Sequence, residues 1–439
     1  MTVPAYWILM ALAALMVIWR PATVLGLVVI SYAFEGWLQS QSTYFVANTS
    51  LHNLVTGSHI VLASGVQMLR KQREGGGGGR PNTTLWFVAV LFTWSALTAL
   101  WSIDRSVSVE AWRSTLIYNA TFIGLLPLVF YDLRDVRDGL FAALFFGAAC
   151  CALMLFAAPW FYRGLELSAP IGDKRMTNPL EIGTLGGVVL LLAATLRPSG
   201  AVAILRLAQW GLIPLALAVM IQSGSRGQFF GSIVVGIAFF PMSRRVKDVP
   251  RFLGVALGLV LLTGLGWFVV SQVGLSGRFA GREMTDVMMG TRVRYALDLA
   301  AGWLRAGPFY WVMGLGVASS PAVTDAAYIH NVPLEILFEL GIVGAGLFAG
   351  LVLATLFHGL RLWRLSRNFE DARSITAALL ALTLFYAVLS LKQGSMLGSP
   401  MLFASFLIVA RSSLRAGNAQ APVTPSTVAT SGWIQQRIA

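Results

Sequence analysis

Apolar runs of about 17–22 residues recur along the whole chain and are separated by short polar connections. A run of this length spans ~30 Å of hydrocarbon when it forms a helix that rises 1.5 Å per residue. The pattern therefore predicts an all-α polytopic membrane protein. The predicted spans cover residues 2–19, 22–38, 54–69, 84–102, 112–130, 139–157, 179–196, 203–222, 229–242, 252–272, 336–357, 375–391 and 400–411.

The Arg20-Pro21 break between the first two runs leaves the number of spans open. Proline ends or kinks a helix because it lacks the backbone N–H and its ring clashes with the preceding turn. Two separate crossings give thirteen spans, whereas a re-entrant or kinked pair gives about twelve with both termini in the cytoplasm. We prefer twelve.

The connections differ in charge. Cytoplasmic loops of membrane proteins are enriched in Lys and Arg, and four connections fit that pattern, so the polar segment 273–335 is expected to face the opposite side. We divide the chain into an N-terminal transmembrane bundle (1–272), a periplasmic loop with amphipathic helices and active-site residues (273–335), C-terminal transmembrane helices (336–411) and a disordered cytoplasmic tail (412–439). The basic residues of the four connections are Arg70, Lys71, Arg73 and Arg80, then Arg134 and Arg137, then Arg244, Arg245, Lys247 and Arg251, and finally Arg361, Arg364, Arg367 and Arg373.

Composition supports a membrane protein. Only 12% of the residues are charged, about half the share found in soluble domains. The net charge of +13 follows from basic cytoplasmic loops, and no basic patch interleaved with aromatic residues indicates nucleic-acid binding. Cys150 and Cys151 are adjacent in an apolar run, and no HExxH, P-loop or CxxC motif occurs, so we expect no metal and no cofactor.

The first candidate for chemistry is His330. Pro333 and the apolar residues after it predict that a helix begins just beyond this histidine and returns to the membrane. The positive end of that helix disfavours an imidazolium, so a neutral ring there can accept a proton from a hydroxyl group. We expect Asn331 to cap the helix and Glu335 to suit its first turn, both as structural residues.

Arginine and lysine side chains supply candidates for binding an anion, because guanidinium groups hold phosphate and carboxylate in a bidentate manner. Thr291 is predicted to cap an amphipathic helix over Arg292–Leu304, on which Arg292 or Arg294 is a ligand candidate. Arg226 lies in the short polar turn 223–228, where glycines allow close approach to a ligand. Lys392 is a weaker candidate of the same kind. Lipid-headgroup anchoring is the alternative role for any one of these cations.

The polar segment resembles the O-antigen ligase and polymerase superfamily. The residues that carry the resemblance are Gly290-Thr291-Arg292, Tyr295, Trp303, Pro308, Gly314, Gly316, His330-Asn331, Leu334, Leu337, Glu339, Gly341 and Gly344.

That resemblance implies a metal-independent inverting glycosyltransferase of the C-type membrane class. It would take O-antigen glycan from undecaprenyl pyrophosphate at the periplasmic face of the bacterial inner membrane. His330 would be the essential histidine, and Arg226 and Arg292 the essential arginines. The preferred acceptor is the lipid A–core oligosaccharide. The alternatives are an O-antigen polymerase, a protein O-oligosaccharyltransferase and, from a different class, a transporter.

Overall fold

The fold is taken from a computed structural model of the chain. It describes residues 2–73, 82–157, 160–161, 164–165, 178–197, 203–244, 282–324 and 329–419, with single helical positions at 250, 253–254, 257–258 and 264. The predicted span over residues 252–272 and the chain after 419 lie almost wholly outside this part.

The described chain is helical apart from one short hairpin. The helices are α1 (Val3–Trp19), α2 (Val24–Gln41), α3 (Thr43–Ala47), α4 (Leu51–Arg73), α5 (Thr83–Thr98), α6 (Arg105–Asn119), α7 (Leu133–Ala157), α8 (Pro179–Thr195), α9 (Ala203–Ser223), α10 (Arg226–Arg244), α11 (Arg282–Arg305), α12 (Pro308–Met313), α13 (Val332–Ser366), α14 (Glu370–Ser390) and α15 (Pro400–Ala419). Short 3-10 helices cover Pro21–Thr23, Leu126–Val129 and Ser320–Ala322, and a π-helical turn covers Ala120–Leu125. The hairpin pairs β1 (Trp160–Phe161) with β2 (Gly164–Leu165) in antiparallel register.

The all-α membrane fold is confirmed at this level. A helical segment lies over every predicted span that falls in the described residues, and the span 252–272 lies almost wholly outside them. Four helical segments in the described residues are long and apolar enough to cross a membrane, namely Pro21–Gln41, Leu133–Phe156, Val332–Ser366 and Glu370–Ser390. Large apolar side chains such as Ile117, Phe145 and Phe156 are at least 70% exposed on the outside of the bundle, as expected for a surface that meets lipid.

The first two helices form an antiparallel pair, and the choice between twelve and thirteen spans stays a prediction. Tyr6 and Met10 of α1 contact His52 and His59 of α4, and Arg70 near the end of α4 donates to the carbonyls that end α1. Helix α1 therefore runs parallel to α4 over most of its length. Helix α2 returns in the opposite direction, since Glu35 near its end accepts a hydrogen bond from Asn53 at the start of α4. Proline at 21 permits a full reversal here because it falls in the first turn of a new helical segment.

Basic side chains collect at one end of the bundle, here called the basic end. The nitrogen atom Nη1 of Arg20 lies 2.7 Å from Oδ2 of Asp138 at the start of α7. At the same end, the side chain of Arg244, the last residue of α10, donates a hydrogen bond to the carbonyl of Ala194. Arg197 forms an ion pair with Glu370 at the start of α14. The described basic connections of the sequence thus meet at one end, and the turns that carry Arg226, His330 and Lys392 lie at the other.

Helix α13 is broken near its start. Gly341 has φ 71° and ψ −172°, so the segment 332–340 and the longer segment 342–366 are separate helices. The break exposes carbonyls that would otherwise be bonded within the helix. The backbone N–H groups of Leu315 and Gly316 donate to the carbonyls of residues 338 and 339 at 3.0 and 2.9 Å, and the indole N–H of Trp94 donates to the carbonyl of residue 340 at 3.0 Å. The loop after α12 therefore completes the hydrogen bonding of a helix within the bundle.

Several predicted boundaries need correction. Helix α13 begins at Val332, so the boundary between residues 335 and 336 falls inside a helix. The boundary between 411 and 412 also falls inside one, because α15 continues to Ala419. Helix α11 begins at Arg282, and Thr291 lies in its interior rather than at its cap. Hydropathy identifies only the apolar part of a helix, and good helix-forming residues extend it into polar sequence.

We expect Gly341→Ala to destabilise the protein. The added Cβ atom would lie 2.2 Å from the carbonyl oxygen of Val312, and the backbone conformation of Gly341 is essentially restricted to glycine, with a strain of about 1–3 kcal/mol for other residues. Thermal unfolding of the purified protein measures the effect. The matched control is Gly346→Ala, since a Cβ at that position in the same helix meets no atom within 4 Å. Equal melting temperatures for the two variants would contradict this account of the break.

Candidate functional site

His330 occupies the residue before the cap of α13, as the sequence predicts. Its backbone has φ 58°, which is the left-handed region. Histidine is one of the few residues besides glycine that enters this region with some frequency, still at an energetic cost. Two neighbours hold the conformation, since the side chain of Ile329 is 2% exposed and Asn331 is fixed as the helix cap. The ring itself is half-buried.

Asn331 connects the start of α13 to a second turn. Its Oδ1 accepts a hydrogen bond from the N–H of Leu334 at 3.0 Å, which is the predicted cap. Its Nδ2 donates to the carbonyl of Leu391 at 3.0 Å. The side chain therefore fixes the distance between His330 and the residue beside Lys392.

Glu335 lies one helical turn after Asn331 in α13 and contacts the same connection between α14 and α15. Its carboxylate is buried and accepts a hydrogen bond from the N–H of Met396 at 3.0 Å. Because residues four apart lie on one face of a helix, Asn331 and Glu335 together clamp the connection between α14 and α15. The interpretation of both residues as structural is supported by these contacts.

Lys392 reaches from this clamped turn to the turn that carries Arg226. Its Nζ lies 3.3 Å from Oε1 of Gln228, and Nε2 of Gln228 donates to the side chain of Gln393. Gly227 leaves the space for this approach, because a Cβ there would lie 1.6 Å from the Lys392 ammonium nitrogen. The structure thus brings Lys392 against the residue directly after Arg226.

The Arg226 turn is itself held from a third direction. The hydroxyl of Ser225 donates to the carbonyl of Pro179 at 2.6 Å, and Gln228 donates to the carbonyl of Leu180 at 3.3 Å. Gly224 takes φ 67°, which allows the chain to pass directly from α9 into α10. Three turns and the start of α8 therefore meet at the end of the bundle opposite the basic end.

Two cationic side chains and the N-terminus of a helix come together at this meeting point. Arg226 is the first residue of α10, so its guanidinium group stands beside the positive end of a 19-residue helix, and Lys392 adds a second cation. Helix N-termini with nearby basic side chains attract phosphate groups, through both the backbone N–H groups and the charges. We call Arg226, Gln228, His330, Asn331, Lys392 and Gln393 the turn cluster.

A cavity of about 280 Å³ borders the turn cluster. Gln393 lines it and also belongs to the cluster. Apolar side chains of α2, α8 and α14 form most of its walls, with Glu181 and the hydrogen-bonded pair Tyr32 and Tyr118 as polar groups. The cavity offers an apolar space beside a cationic group of side chains.

The two arginine candidates of α11 stand apart from these contacts. The side chain of Arg294 is 74% exposed, and its Nε atom lies 3.6 Å from Oδ2 of Asp298 on the same helix. Arg292 lies on α11, and its side chain is outside the described residues. The opposite face of this helix is apolar: Tyr295, Leu299 and Trp303 pack in one cluster with Phe338 near the start of α13. No described contact joins Arg294 to the turn cluster, so the choice between the two arginines stays a prediction.

Sequence reasoning missed the polar residues that hold the site together. Glu339 accepts hydrogen bonds from the N–H of Ala318 at 2.6 Å and from the N–H and hydroxyl of Ser320 at 3.0 and 2.5 Å. Gln228 and Gln393 connect two turns that lie 165 positions apart. Glutamate inside an apolar helix is a signal that could have been used for Glu339, because a buried carboxylate requires donors. The two glutamines carry no such signal.

Asp104 is also structural. It caps α6, and hydrogen bonds from the Ser106 hydroxyl and the Val107 N–H lower the pKa of its carboxyl group. Among the described residues, no group of three or more His, Cys, Asp or Glu side chains is arranged to hold a metal ion.

Comparisons with known proteins add little. No protein-family model matches the chain, and no curated protein matches it. One solved structure, described as "Structural coordination of polymerization and crosslinking by a peptidoglycan synthase complex", aligns over 76% of this chain and 97% of its own, with 13% identity and a TM-score of 0.42. A likeness of this size carries no argument about fold or activity.

Replacing Asn331 tests the clamp. Asn331→Ala removes both the cap and the bond to Leu391, and we expect a loss of about 1–2 kcal/mol in stability. Asn331→Asp keeps a cap acceptor and removes only the donor to Leu391, so its loss should be smaller. Thermal unfolding compares them. If aspartate is as damaging as alanine, the bond to Leu391 is the main contribution; if neither variant changes the melting temperature, the clamp contributes nothing.

Proposed function

We propose that this protein is a membrane glycosyltransferase that transfers glycan from undecaprenyl pyrophosphate to an acceptor hydroxyl group, and that it is an O-antigen ligase with lipid A–core oligosaccharide as acceptor. The observation that carries the proposal is the convergence of His330, Lys392 and the Arg226 turn through the bonds of Asn331 and Gln228. Residues far apart in sequence thereby supply a base and cations at one place.

The chemistry follows from these groups. The acceptor oxygen attacks the anomeric carbon while the bond between that carbon and the pyrophosphate oxygen breaks. His330 takes the proton of the acceptor hydroxyl, and the negative charge that develops on the pyrophosphate is stabilised by Arg226 and Lys392. A single displacement of this kind inverts the anomeric configuration. Guanidinium and ammonium groups then do what a divalent cation does in other phosphate-transferring sites, so we expect transfer without metal or cofactor.

Charge indicates the orientation. The basic end carries arginines on several helices and so suits the cytoplasmic side. The turn cluster would then face the periplasm from the inner membrane, with about twelve or thirteen crossings and the α11–α12 segment as a cap in a C-type arrangement. The apolar walls of the 280 Å³ cavity suit the first units of a polyprenyl chain.

The acceptor is tested by reconstitution. Purified protein is supplied with lipid-linked glycan and either lipid A–core, a protein acceptor or no added acceptor, with and without a chelator. Transfer to lipid A–core that survives chelation supports the ligase. Longer glycan on the lipid carrier would instead indicate a polymerase, and transfer to the protein acceptor an oligosaccharyltransferase. No transfer in any condition, together with transbilayer movement of the lipid-linked glycan, would indicate a transporter.

His330→Asn should nearly abolish transfer. Asparagine tolerates the left-handed backbone of this position, so the variant removes the base without adding strain, and general bases contribute about 10²–10⁴-fold. Initial rates of transfer are measured after normalisation to folded protein. His358→Asn is the control, since His358 lies near the basic end beside Ser413. Activity of His330→Asn within about threefold of wild type, well under a general-base contribution, would make His330 a structural residue.

Removal of either cation should slow transfer as well. Loss of one charge-assisted contact to a developing anion costs about 10²–10³ in rate, which we expect for Arg226→Gln and for Lys392→Gln. Arg226→Lys should recover only part of the rate because an ammonium group cannot bind in a bidentate manner. Single-turnover rates with saturating donor measure this, and Arg294→Gln is the comparison. Wild-type rates in both glutamine variants would exclude the turn cluster as the pyrophosphate site; a dead Arg294 variant would move the site to α11.

A further inference from the structure

One carboxylate faces the 280 Å³ cavity and has no part in the proposed transfer. It belongs to Glu181, in the first turn of α8, and its side chain is half-buried. Glu181, Thr184, Leu185 and Val188 line the cavity together, because positions three, four and seven apart lie on one face of a helix. Among the described residues that line the cavity, Glu181 is the only charged one.

This carboxylate has no partner within the described chain. No described residue donates a hydrogen bond to it or forms an ion pair with it, and its electrostatic neighbour is another carboxylate, that of Glu35. Glu35 is itself engaged, since it accepts a hydrogen bond from Asn53 at 2.9 Å. Arg226 and Lys392 do not line the cavity. An ionisable side chain inside the helical bundle of a membrane protein is costly, and it typically pairs with a group of opposite charge.

Most other polar groups of the cavity wall are engaged within the protein. The hydroxyls of Thr184 and Ser390 donate to carbonyls of their own helices, and the hydroxyls of Tyr32 and Tyr118 bond to each other. Gln393 accepts a hydrogen bond from α10. A sugar needs partners for several hydroxyl groups, and a metal ion needs several oxygen ligands. A wall with one unpaired carboxylate suits neither.

The rest of the wall is aromatic and apolar. The rings of Tyr32, Tyr118, Phe122 and Tyr386 line the cavity, and the centroids of the Tyr118 and Phe122 rings are 4.4 Å apart. Aromatic rings attract organic cations, most strongly where water is displaced. A carboxylate and several aromatic rings around one apolar space therefore suit a ligand that carries a positive charge on an apolar body.

We infer that this cavity binds a small amphipathic organic cation, with Glu181 as its counter-charge and the aromatic rings against its apolar body. The volume of about 280 Å³ lies near the lower end of the range of roughly 300–1,000 Å³ that is usual for small-molecule sites. The proposed function places the first units of a polyprenyl chain in the same cavity, so the cation and that chain would compete for it. Binding of the cation does not require glycosyl transfer, and the inference is tested without it.

The experiment measures binding of dimethylbenzylammonium to the purified full-length protein in detergent. Its comparison is isobutylbenzene, in which a neutral carbon atom replaces the charged nitrogen. Equilibrium dialysis of the radiolabelled compounds gives both affinities once uptake by protein-free detergent is subtracted. We expect the protein to bind the cation more tightly than the neutral compound. Glu181→Gln should weaken binding of the cation about 10- to 100-fold, since a contact to a charged group is lost.

Three further measurements make the test specific. Glu181→Gln should bind isobutylbenzene as wild type does, which shows that the cavity of this variant is still folded. Glu110→Gln removes an exposed carboxylate of α6 and should leave binding of the cation unchanged. Thr184→Leu keeps Glu181 but fills part of the cavity, so it should weaken binding of both compounds.

Three results would overturn the inference. Equal affinity of the wild type for the two compounds would show an apolar cavity without preference for a cation. Wild-type affinity of Glu181→Gln for the cation would exclude Glu181 as the counter-charge. An equal loss in Glu110→Gln would show that the overall charge of the protein, and not this cavity, attracts the cation.

Discussion

Every buried backbone N–H and carbonyl needs a hydrogen-bond partner, and this requirement governs the broken helix α13. A break at Gly341 leaves the carbonyls of residues 338–340 without partners from the next helical turn. The N–H groups of Leu315 and Gly316 and the indole of Trp94 supply those partners. The irregular loop after α12 therefore supplies hydrogen bonds that the broken helix lacks, as buried polar backbone requires.

The same break makes the start of α13 a short, rigid element. Its two glutamates act as crosslinks: Glu339 fixes the loop 318–320 and Glu335 fixes the turn at Met396. Three donors converge on the buried carboxylate of Glu339, whereas Glu335 accepts one described hydrogen bond, from the N–H of Met396. The strained backbone of His330 persists since both of its neighbours are immobilised, and strain of this kind is a mark of pre-organised sites. A histidine held in this way would lose little conformational entropy in the role proposed for it.

Much of this architecture could be predicted because it depends on local sequence. Hydropathy located the helices, and the cap at Asn331 followed from side-chain type and from Pro333. Two features were not predicted. The start of α11 lies in polar sequence that hydropathy does not mark, and the break at Gly341 depends on contacts with Val312, Leu315, Gly316 and Trp94, which are distant in sequence.

For the candidate site, the residue types could be predicted from the sequence but their contacts could not. His330, Arg226 and Lys392 were recognisable as unusual polar residues beside apolar helices. The proximity of these three residues could not be predicted from the sequence, because it depends on Gln228, Gln393 and the carbonyl of Leu391. Neither a glutamine nor a backbone carbonyl forms part of a recognisable sequence motif. Arg294 shows the reverse case, since an arginine on an amphipathic helix looked equally suitable and instead lies exposed beside Asp298.

The position of each cation relative to its helix separates two kinds of positive charge. Lys71 and Arg244 lie in the last turns of α4 and α10, where the negative end of the helix dipole stabilises them. Arg226 is the first residue of α10, where the dipole opposes a cation, and Lys392 is brought to the same place from another turn. A residue that breaks a local electrostatic rule without gaining stability is typical of a functional site. This contrast is a physical reason, apart from any motif, to test Arg226 for the anion binding proposed above.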